Sequence, residues 1–532
     1  MRAKKLANGG RSSMRSNGGR DFRSEKGFKR DKSCKSLFLK RQKKATTPCT
    51  ANDGGGPGRS GGAACLTVET EPYQIAASPR IVEICLRFGV PLILPARSIA
   101  RNLKVNLAPG TLTLITGPSG AGKSLLLAEI GRQIPTSRHV GRLPFPLDVS
   151  VLDGVSPTRD VYEALSILTT CGLGEPMLWI RKFDSLSDGE QFRAKLARAI
   201  SLQQRARIRS PLLVDEFAAI LHRRIAKAIA FNLRKLVTQQ RISLVVATSH
   251  DDLERDLQPD TIIRLGNEQP VVETADTKAS KRVHRRRAPS FAGRLHIERG
   301  SLRDYRHFGA MHYRQRDNLG FIDRVFVMRE GTARTPLGIV IYGRPVLELT
   351  LRNRATGGRF VRNGKRLNRE LRVLKRLVIH PDVRGCGLGH WLVKRTLPLA
   401  GTRFVECLAA MGAINPVFDR AGMRRIGVVQ PPASLSRAVA RIQKAGVDPV
   451  GADFVWHVCR RPSIRRIVAD TVFDWYRATT GGGEQRVEKQ TSSALARTFR
   501  QLAGSQPVYF LWARDARTWA IIDKNAPTEP EM

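Results

Sequence analysis

One short run of residues carries the densest chemistry: Gly117-Pro118-Ser119-Gly120-Ala121-Gly122-Lys123-Ser124, between an apolar strand-like stretch at 112–115 and a helical one at 125–130. Glycines let such a loop wrap closely, so its N–H groups and the N-terminus of the following helix point at phosphate oxygens. Lys123 adds positive charge toward the β- and γ-phosphates of a nucleotide, and the Ser124 hydroxyl can hold Mg²⁺. Two more apolar runs end in groups suited to the same reaction. Pro211-Leu-Leu-Val214 delivers Asp215, a Mg²⁺ ligand, and Glu216, which can orient an attacking water. Leu244-Val-Val-Ala247 leads to Ser249-His250, whose imidazole can reach a γ-phosphate. The chemistry predicted is Mg²⁺-dependent binding and hydrolysis of a nucleoside triphosphate.

Between these runs lies Leu186-Ser187-Asp188-Gly189-Glu190-Gln191, followed by Arg193 and a helical stretch at 196–200. In this order, over about 135 residues, the motifs resemble those of the ABC-type ATPases. The resemblance implies that two copies sandwich two ATP molecules head to tail. Ser187 and Gly189 of one copy would then contact the γ-phosphate held by the other, so hydrolysis implies a homodimer. The departures from the family pattern are specific. Asp188 replaces the second signature glycine, and the segment Ser150-Val-Leu-Asp153 stands where a Gln-bearing loop is expected. Phe217-Ala-Ala-Ile-Leu-His222 lacks the usual dimer-contact Asp, and the arm between Asp153 and Leu186 is short. The Gln-bearing loop and the arm couple such ATPases to transport subunits, so a transporter ATPase is the lesser reading. Upstream, Phe88 reads first as a core aromatic, with stacking on adenine as the alternative.

A second constellation follows in the later half. Leu377-Val378-Ile-His380-Pro-Asp-Val-Arg384-Gly385-Cys386-Gly387-Leu388-Gly389 runs into a helical stretch at 390–397. A strand, a tight glycine turn and a helix start again offer N–H groups to an anion. The glycine spacing is not that of a dinucleotide fingerprint. With Asn415-Pro-Val-Phe-Asp-Arg-Ala-Gly422 downstream, the run resembles the GNAT acetyltransferase superfamily. The resemblance implies that Val378, Arg384, Gly385, Cys386, Gly387, Leu388, Gly389 and Asn415 bind acetyl-CoA. The catalytic base stays open among Glu406, His312 and Tyr313, or a water. The pairing of the two modules, with His312-Tyr313-Arg314 and Asn415-Pro416, resembles a prokaryotic fusion family over residues 81–460.

The elements that must position these residues read as two α/β domains. The fold expected is a phosphate-loop ABC-type ATPase domain at 75–275, then a GNAT-like α/β acyltransferase domain at 292–460, where 325–328 and 335–342 read as antiparallel strands. A disordered basic arm at 1–65, a basic linker at 276–291 and a helical then strand-like C-terminal extension at 461–532 complete the organisation.

Charge divides along the same lines. The net charge is +45, yet residues 61–277 carry 26 Lys/Arg against 22 Asp/Glu. Residues 1–60 carry 17 against 4, 278–294 carry 7 against none, and 295–460 carry 30 against 12. That asymmetry points to a polyanionic partner, nucleic acid, held by the arm, the linker and the acyltransferase half. The densest stretch, 352–376, holds ten Lys/Arg and one acid. Eight scattered Cys without a CxxC pair point to reduced thiols in a cytoplasmic protein, and no apolar run is long enough to span a membrane. The leading reading is an ATP-dependent N-acyltransferase acting on, or recruited by, nucleic acid. The alternative is a nucleic-acid-binding ATPase whose second domain only binds.

Overall fold

A computed structural model describes residues 63–74, 76–156, 161–206, 210–266, 268–274, 288–311, 319–430, 433–480, 487–503 and 506–526. The arm expected at 1–65 falls outside them up to residue 62, as do most of the linker (275–287) and the candidates His312 and Tyr313.

The first lobe begins earlier than the expected boundary at 75. Strand β1 (Ala63–Glu69) pairs antiparallel with β2 (Ser98–Asn106), because its alternating residues close a core over the sheet: Leu66 and Val68 are buried with Ile99, Leu103 and Val105. The excursion between them carries α1 (Pro79–Phe88), capped by Ser78, whose side chain accepts from Ile81 N–H, and closed by Gly89 in the left-handed region. No α1 side chain is buried, and Phe88 is 74% exposed, which overturns the core reading of that aromatic.

The central sheet comprises β3 (Leu112–Thr116), β4 (Arg138–His139), β5 (Leu212–Val214), β6 (Leu244–Thr248), β7 (Thr261–Arg264) and β8 (Val271–Thr274), in the order β8-β7-β3-β6-β5-β4. All neighbours are parallel except β8 with β7. Every residue of β3, β5 and β6 is buried, as unbroken apolar runs covered on both faces should be. On one face α2 (Lys123–Gln133) buries Leu126, Leu127 and Ile130. On the other lie α3 (Val161–Thr170), α4 (Asp188–Arg205) and α5 (Arg223–Gln240).

The second lobe is built on a seven-stranded sheet of β9 (Leu295–Arg299), β10 (Ile322–Glu330), β11 (Gly338–Gly343), β12 (Leu371–Ile379), β13 (Phe404–Ala409), β14 (Arg424–Val428) and β15 (Val508–Ala513). Its order is β9-β10-β11-β12-β13-β15-β14. β12 and β13 are the single parallel pair, joined by α6 (Leu388–Thr396), and they are laddered only from Leu371–Val373 to Phe404–Glu406. Beyond that the two strands part. The C-terminal residues are therefore not a separate extension from 461. β15 supplies the strand between β13 and β14, because Val-Tyr-Phe-Leu-Trp-Ala can be buried on both faces only in a sheet interior.

Between β14 and β15 stand four packed helices: α7 (Ala433–Lys444), α8 (Phe454–Arg460), α9 (Pro462–Thr480) and α10 (Ser492–Ala503). Their apolar faces share one core around Ile442, Phe454, Val468 and Phe499, separate from that of the sheet. A last helix, α11 (Ala516–Asn525), packs Ile522 back on the sheet.

Helix α5 belongs to both lobes. Ile229, Leu233 and Leu236 face the first core, while Ala228 and Phe231 sit in the core of the second.

Candidate functional site

Three turns leave the C-terminal edge of three adjacent strands, β3, β6 and β5, where an open parallel sheet gathers its ligand. Residues 117–122 follow β3, with 118–120 exposed and Ala121 buried. Gly117, Gly120 and Gly122 all hold positive φ, at 146°, 79° and 98°. A Cβ on Gly117 would stand 2.3 Å from Leu265 O, so only glycine lets the loop pass β7. A Cβ on Gly120 would meet nothing within 4 Å, so the loop is open on that side. Lys123 Nζ donates to Gly117 O and Pro118 O, both at 2.7 Å, and so already lies across its mouth. Ser124 is exposed at the start of α2. Positive φ, an open face and an unburied Lys-Ser pair fit a nucleotide phosphate with its Mg²⁺.

Asp215 and Glu216 leave β5. Glu216 N–H donates to Asp215 Oδ1 (2.9 Å), and Glu216 itself is exposed with φ of 48°. Behind them, Phe217 N–H donates to Ala247 O (2.9 Å) and Thr248 Oγ1 donates to Phe217 O (3.0 Å), tying the end of β5 to that of β6. His250 N–H donates to Thr248 Oγ1 at 3.2 Å. Burial and the nearby Arg223 guanidinium hold the His250 imidazole below its ordinary range against the pull of Asp251, so it is neutral at pH 7. A neutral ring can donate to a phosphate oxygen without carrying charge.

A histidine missed in the sequence reading lies beside these groups. His139 ends β4, half-buried, with its Nε2 enclosed. Burial and Arg142 lower its pKa, while Asp215 acts to raise it. A two-residue strand gives no periodicity to find, which is why neither His139 nor Arg142 stood out. It also corrects the position expected for the Gln-bearing loop. The residues leaving the β4 edge are 140–143, whereas 151–155 form a short helix that Ser150 caps through Asp153 N–H (3.1 Å).

Ser187 and Gly189 stand at the N-terminus of α4, away from any nucleotide loop in their own sequence neighbourhood. Ser187 N–H and Oγ both donate to Glu190 Oε2 (2.9 Å each), which fixes the turn, and Ser187 and Asp188 are exposed. Such a helix end can be presented to a second molecule. Asp188 places a carboxylate at that same end.

In the second lobe, Gly387 (φ 80°) caps α6, and the N–H groups of residues 387–390 make no backbone hydrogen bond among the described residues. The first return is Trp391 N–H to Gly387 O at 3.3 Å. These amides are the donors available to an anion. Two side chains do not join them. Arg384 Nε donates to Ile379 O (2.9 Å), and its Nη atoms donate to Gly174 O (3.0 Å) and Met311 O (3.3 Å), with Glu175 at 3.6 Å. Cys386 is buried on α5, with Sγ 3.8 Å from Ala228 O. Cys386 is held against the first lobe and Arg384 by carbonyls of both lobes, so of the expected acetyl-CoA residues they contribute backbone only. Val378 is buried in the β11–β12 ladder, and Asn415 is exposed with its N–H donating to Met411 O (2.8 Å).

Two further expectations are corrected. Glu406, a possible base, is wholly buried. Its carboxylate accepts from Arg352 Nη1 (3.1 Å) and Tyr509 OH (2.9 Å), and no substrate amine can approach it. The basic stretch 352–376 is also less free than its composition suggests. Arg352 is in that ion pair, Arg359 and Arg366 pair with Glu370, Arg372 pairs with Asp323, and Lys375 donates to Leu319 O (2.8 Å). Arg354, Arg362, Lys365 and Arg369 remain exposed, although Arg354 donates to Ile426 O (3.3 Å) and Arg369 lies 3.7 Å from Glu370.

No family model matches the chain. Among curated proteins it is 26% identical over 215 residues to the Fe(3+) ions import ATP-binding protein FbpC of Vibrio cholerae, spanning 34% of this chain and 56% of that protein. It is 30% identical over 188 residues to the lipoprotein-releasing system ATP-binding protein LolD 1 of Rhodopirellula baltica, spanning 28% of this chain and 79% of that protein. The chain therefore spans little more than half the length of the FbpC relative. Among solved structures it resembles MJ0796, a bacterial ABC transporter cassette in dimeric form, at 22% identity and a TM-score of 0.28, covering 34% of this chain and 92% of that one. No helix among the described residues is long and apolar enough to cross a membrane.

Proposed function

Because the chain belongs to the ABC-type ATPases over about a third of its length, we propose that it hydrolyses ATP as a homodimer and couples that cycle to acyl transfer from acetyl-CoA, in the cytoplasm, on an acceptor held with nucleic acid. The observation that carries the ATP half is the convergence of 117–124, Asp215-Glu216 and His250 on the edge of three adjacent strands. In this reading the loop amides and Lys123 hold the phosphates, Glu216 orients water, and neutral His250 donates to the γ-phosphate. Ser124 and Asp215 would hold Mg²⁺, which supplies charge neutralisation along the β- and γ-phosphates. Ser187 and Gly189 of a second copy complete the site.

The acyltransferase half is supported by the parted strands β12 and β13. After Val373 and Glu406 their facing backbone edges are unladdered, and the amides of 387–390 open at the mouth of the gap. An extended chain bearing amides and ending in a diphosphate, as in acetyl-CoA, matches that gap and those donors. With Glu406 in an internal ion pair, water serves as the proton acceptor from the attacking amine.

A second reading, the ATP-binding subunit of a transporter, is favoured by the roles of those relatives, one in ion import and one in lipoprotein release.

Purified protein given ATP, Mg²⁺, acetyl-CoA and an RNA or DNA pool tests the proposal. Phosphate release abolished by Lys123→Ala and Glu216→Gln, with acetyl groups appearing on pool components by mass spectrometry, is the expected result. No acetyl-CoA binding by calorimetry removes the acyltransferase half, and ATP turnover that rises only with a membrane partner favours the transporter.

A further inference from the structure

The charge that singled out 352–376 is largely consumed inside the second lobe, so the polyanion must be met elsewhere among the described residues. The four-helix insertion between β14 and β15 offers the alternative. Helix α7 carries Arg437, Arg441 and Lys444 at spacings of four and three, which places them along one stripe, and all three are exposed while Leu435, Ala438 and Ile442 face the core. No acid occurs from residue 433 to 447.

The stripe does not end with its helix. Arg461, at the turn from α8 to α9, donates from Nη1 to Ala445 O (3.4 Å), one residue past α7. Arg460 and Arg461 before that turn, and Arg465 and Arg466 after it, are all exposed, and residues 454–469 contain no acid. None of these seven side chains pairs with a carboxylate among the described residues. Beside them, Trp456 is 57% exposed on α8, four residues before Arg460 and hence on the same face. Burying Phe454, His457 and Val458 accounts for the helix; nothing in the core requires a tryptophan on its outer side.

From this we infer that the α7–α8–α9 surface is a binding site for single-stranded nucleic acid, with the arginine stripe tracking phosphates and Trp456 stacking on an unpaired base. Charge complementarity names the polyanion, and the exposed indole selects unpaired bases, because a base inside a duplex presents no free face. The inference rests on the nucleic-acid reading above and gives it an address in the fold. Seven cations reach over a helix of about 18 Å and the adjoining turn, enough for several successive phosphates.

Fluorescence anisotropy of the full chain with a labelled 20-nucleotide single strand and the matching duplex, at several salt concentrations, tests it. The triple variant Arg441→Glu, Arg460→Glu, Arg465→Glu should bind the single strand at least tenfold more weakly, with a flatter salt dependence. Trp456→Ala should lose about tenfold on the single strand and leave the duplex unchanged. Arg362→Glu with Lys365→Glu should change neither, and ATP turnover and melting temperature should be retained in every variant. Wild-type binding with an unaffected triple variant overturns the inference and assigns the binding to the arm or linker. Equal loss of duplex in Trp456→Ala, or equally tight binding of polyglutamate, also overturns it. A wild-type chain that binds neither oligonucleotide overturns the nucleic-acid reading itself.

Discussion

Arg193 and Arg384, one from each lobe, donate to carbonyls two residues apart in a single turn. Arg193 Nη1 reaches Gly172 O at 2.7 Å, and Arg384 Nη1 reaches Gly174 O at 3.0 Å. Arg193 Nε also donates to Gly189 O (3.0 Å), in the segment that a second copy would use on ATP. Asn232 closes the contact from α5, donating to Thr170 O (3.2 Å) and Arg384 O (3.5 Å). A displacement of α4 on nucleotide binding would therefore be passed to the turn that anchors the 384–387 loop. Expected for Arg384→Ala is an acetyl-CoA affinity that no longer responds to ATP, with ATP affinity itself unchanged. Effects between coupled sites are commonly about 5- to 150-fold. Calorimetry with and without ATP, in a cycle with Arg193→Ala, measures the coupling; additive effects of the two variants would show that the turn transmits nothing.

Asp188 sits in the first turn of α4, exposed, where that helix end would meet the γ-phosphate of the opposing copy. A carboxylate there favours its own helix but repels the phosphate. Asp188→Gly should shift the ATP-bound Glu216→Gln variant toward dimer by several-fold, read by analytical ultracentrifugation. The gain should shrink at high salt, because the repulsion removed is between exposed charges. An unchanged monomer–dimer equilibrium would mean that α4 does not face a second nucleotide.

The buried pair of Arg352 and Glu406 makes a stability prediction with a clear sign. Burial pushes Glu406 upward while Arg352 and Tyr509 pull it down, and both side chains of the pair are almost fully enclosed. Glu406→Ala leaves an uncompensated guanidinium inside the β-sheet and should cost roughly 3–5 kcal/mol. Tyr509→Phe removes one hydrogen bond to a charged group and should cost about 1.5–3 kcal/mol. Urea denaturation measures both. Acetyl transfer surviving in a folded Glu406→Gln protein would confirm that Glu406 is no catalytic base.

What the sequence made legible was the chemistry held on contiguous runs. The 117–124 loop was readable because strand, glycines, Lys and Ser occur in one stretch, and β3, β5 and β6 were readable as unbroken apolar runs. Three things were hidden because they depend on distant partners. His139 lies on a two-residue strand whose partner in the sheet is β5, with His139 opposite Leu213, 74 residues on. β15 looked like an appendage because the 433–503 helices separate it from its neighbours β13 and β14. Arg384 fitted an anion motif by spacing, yet its guanidinium faces Gly174, 210 residues earlier in the chain. Local spacing reports backbone geometry; the fate of a long side chain is set by whatever packs over it.

His250 gives the pH dependence. Burial first, then Arg223, keep its folded pKa below the ordinary value of about 6.5. As pH falls through that value the unfolded chain takes up a proton that the folded imidazole still refuses, so stability declines across the window between the two pKa values and rises again with pH. Turnover at low ATP follows the folded, nucleotide-free value: the ring stays neutral through pH 6.5, and the acid limb of kcat/KM begins lower. Arg223→Gln removes the opposing cation and should move that limb upward in pH, while His250→Ala should remove it and lower kcat at all pH values. Steady-state kinetics between pH 5 and 8, with the ring titration followed by NMR, reads both shifts. An acid limb that stays in place in Arg223→Gln would assign it to another group, with His139 beside Asp215 the next to substitute.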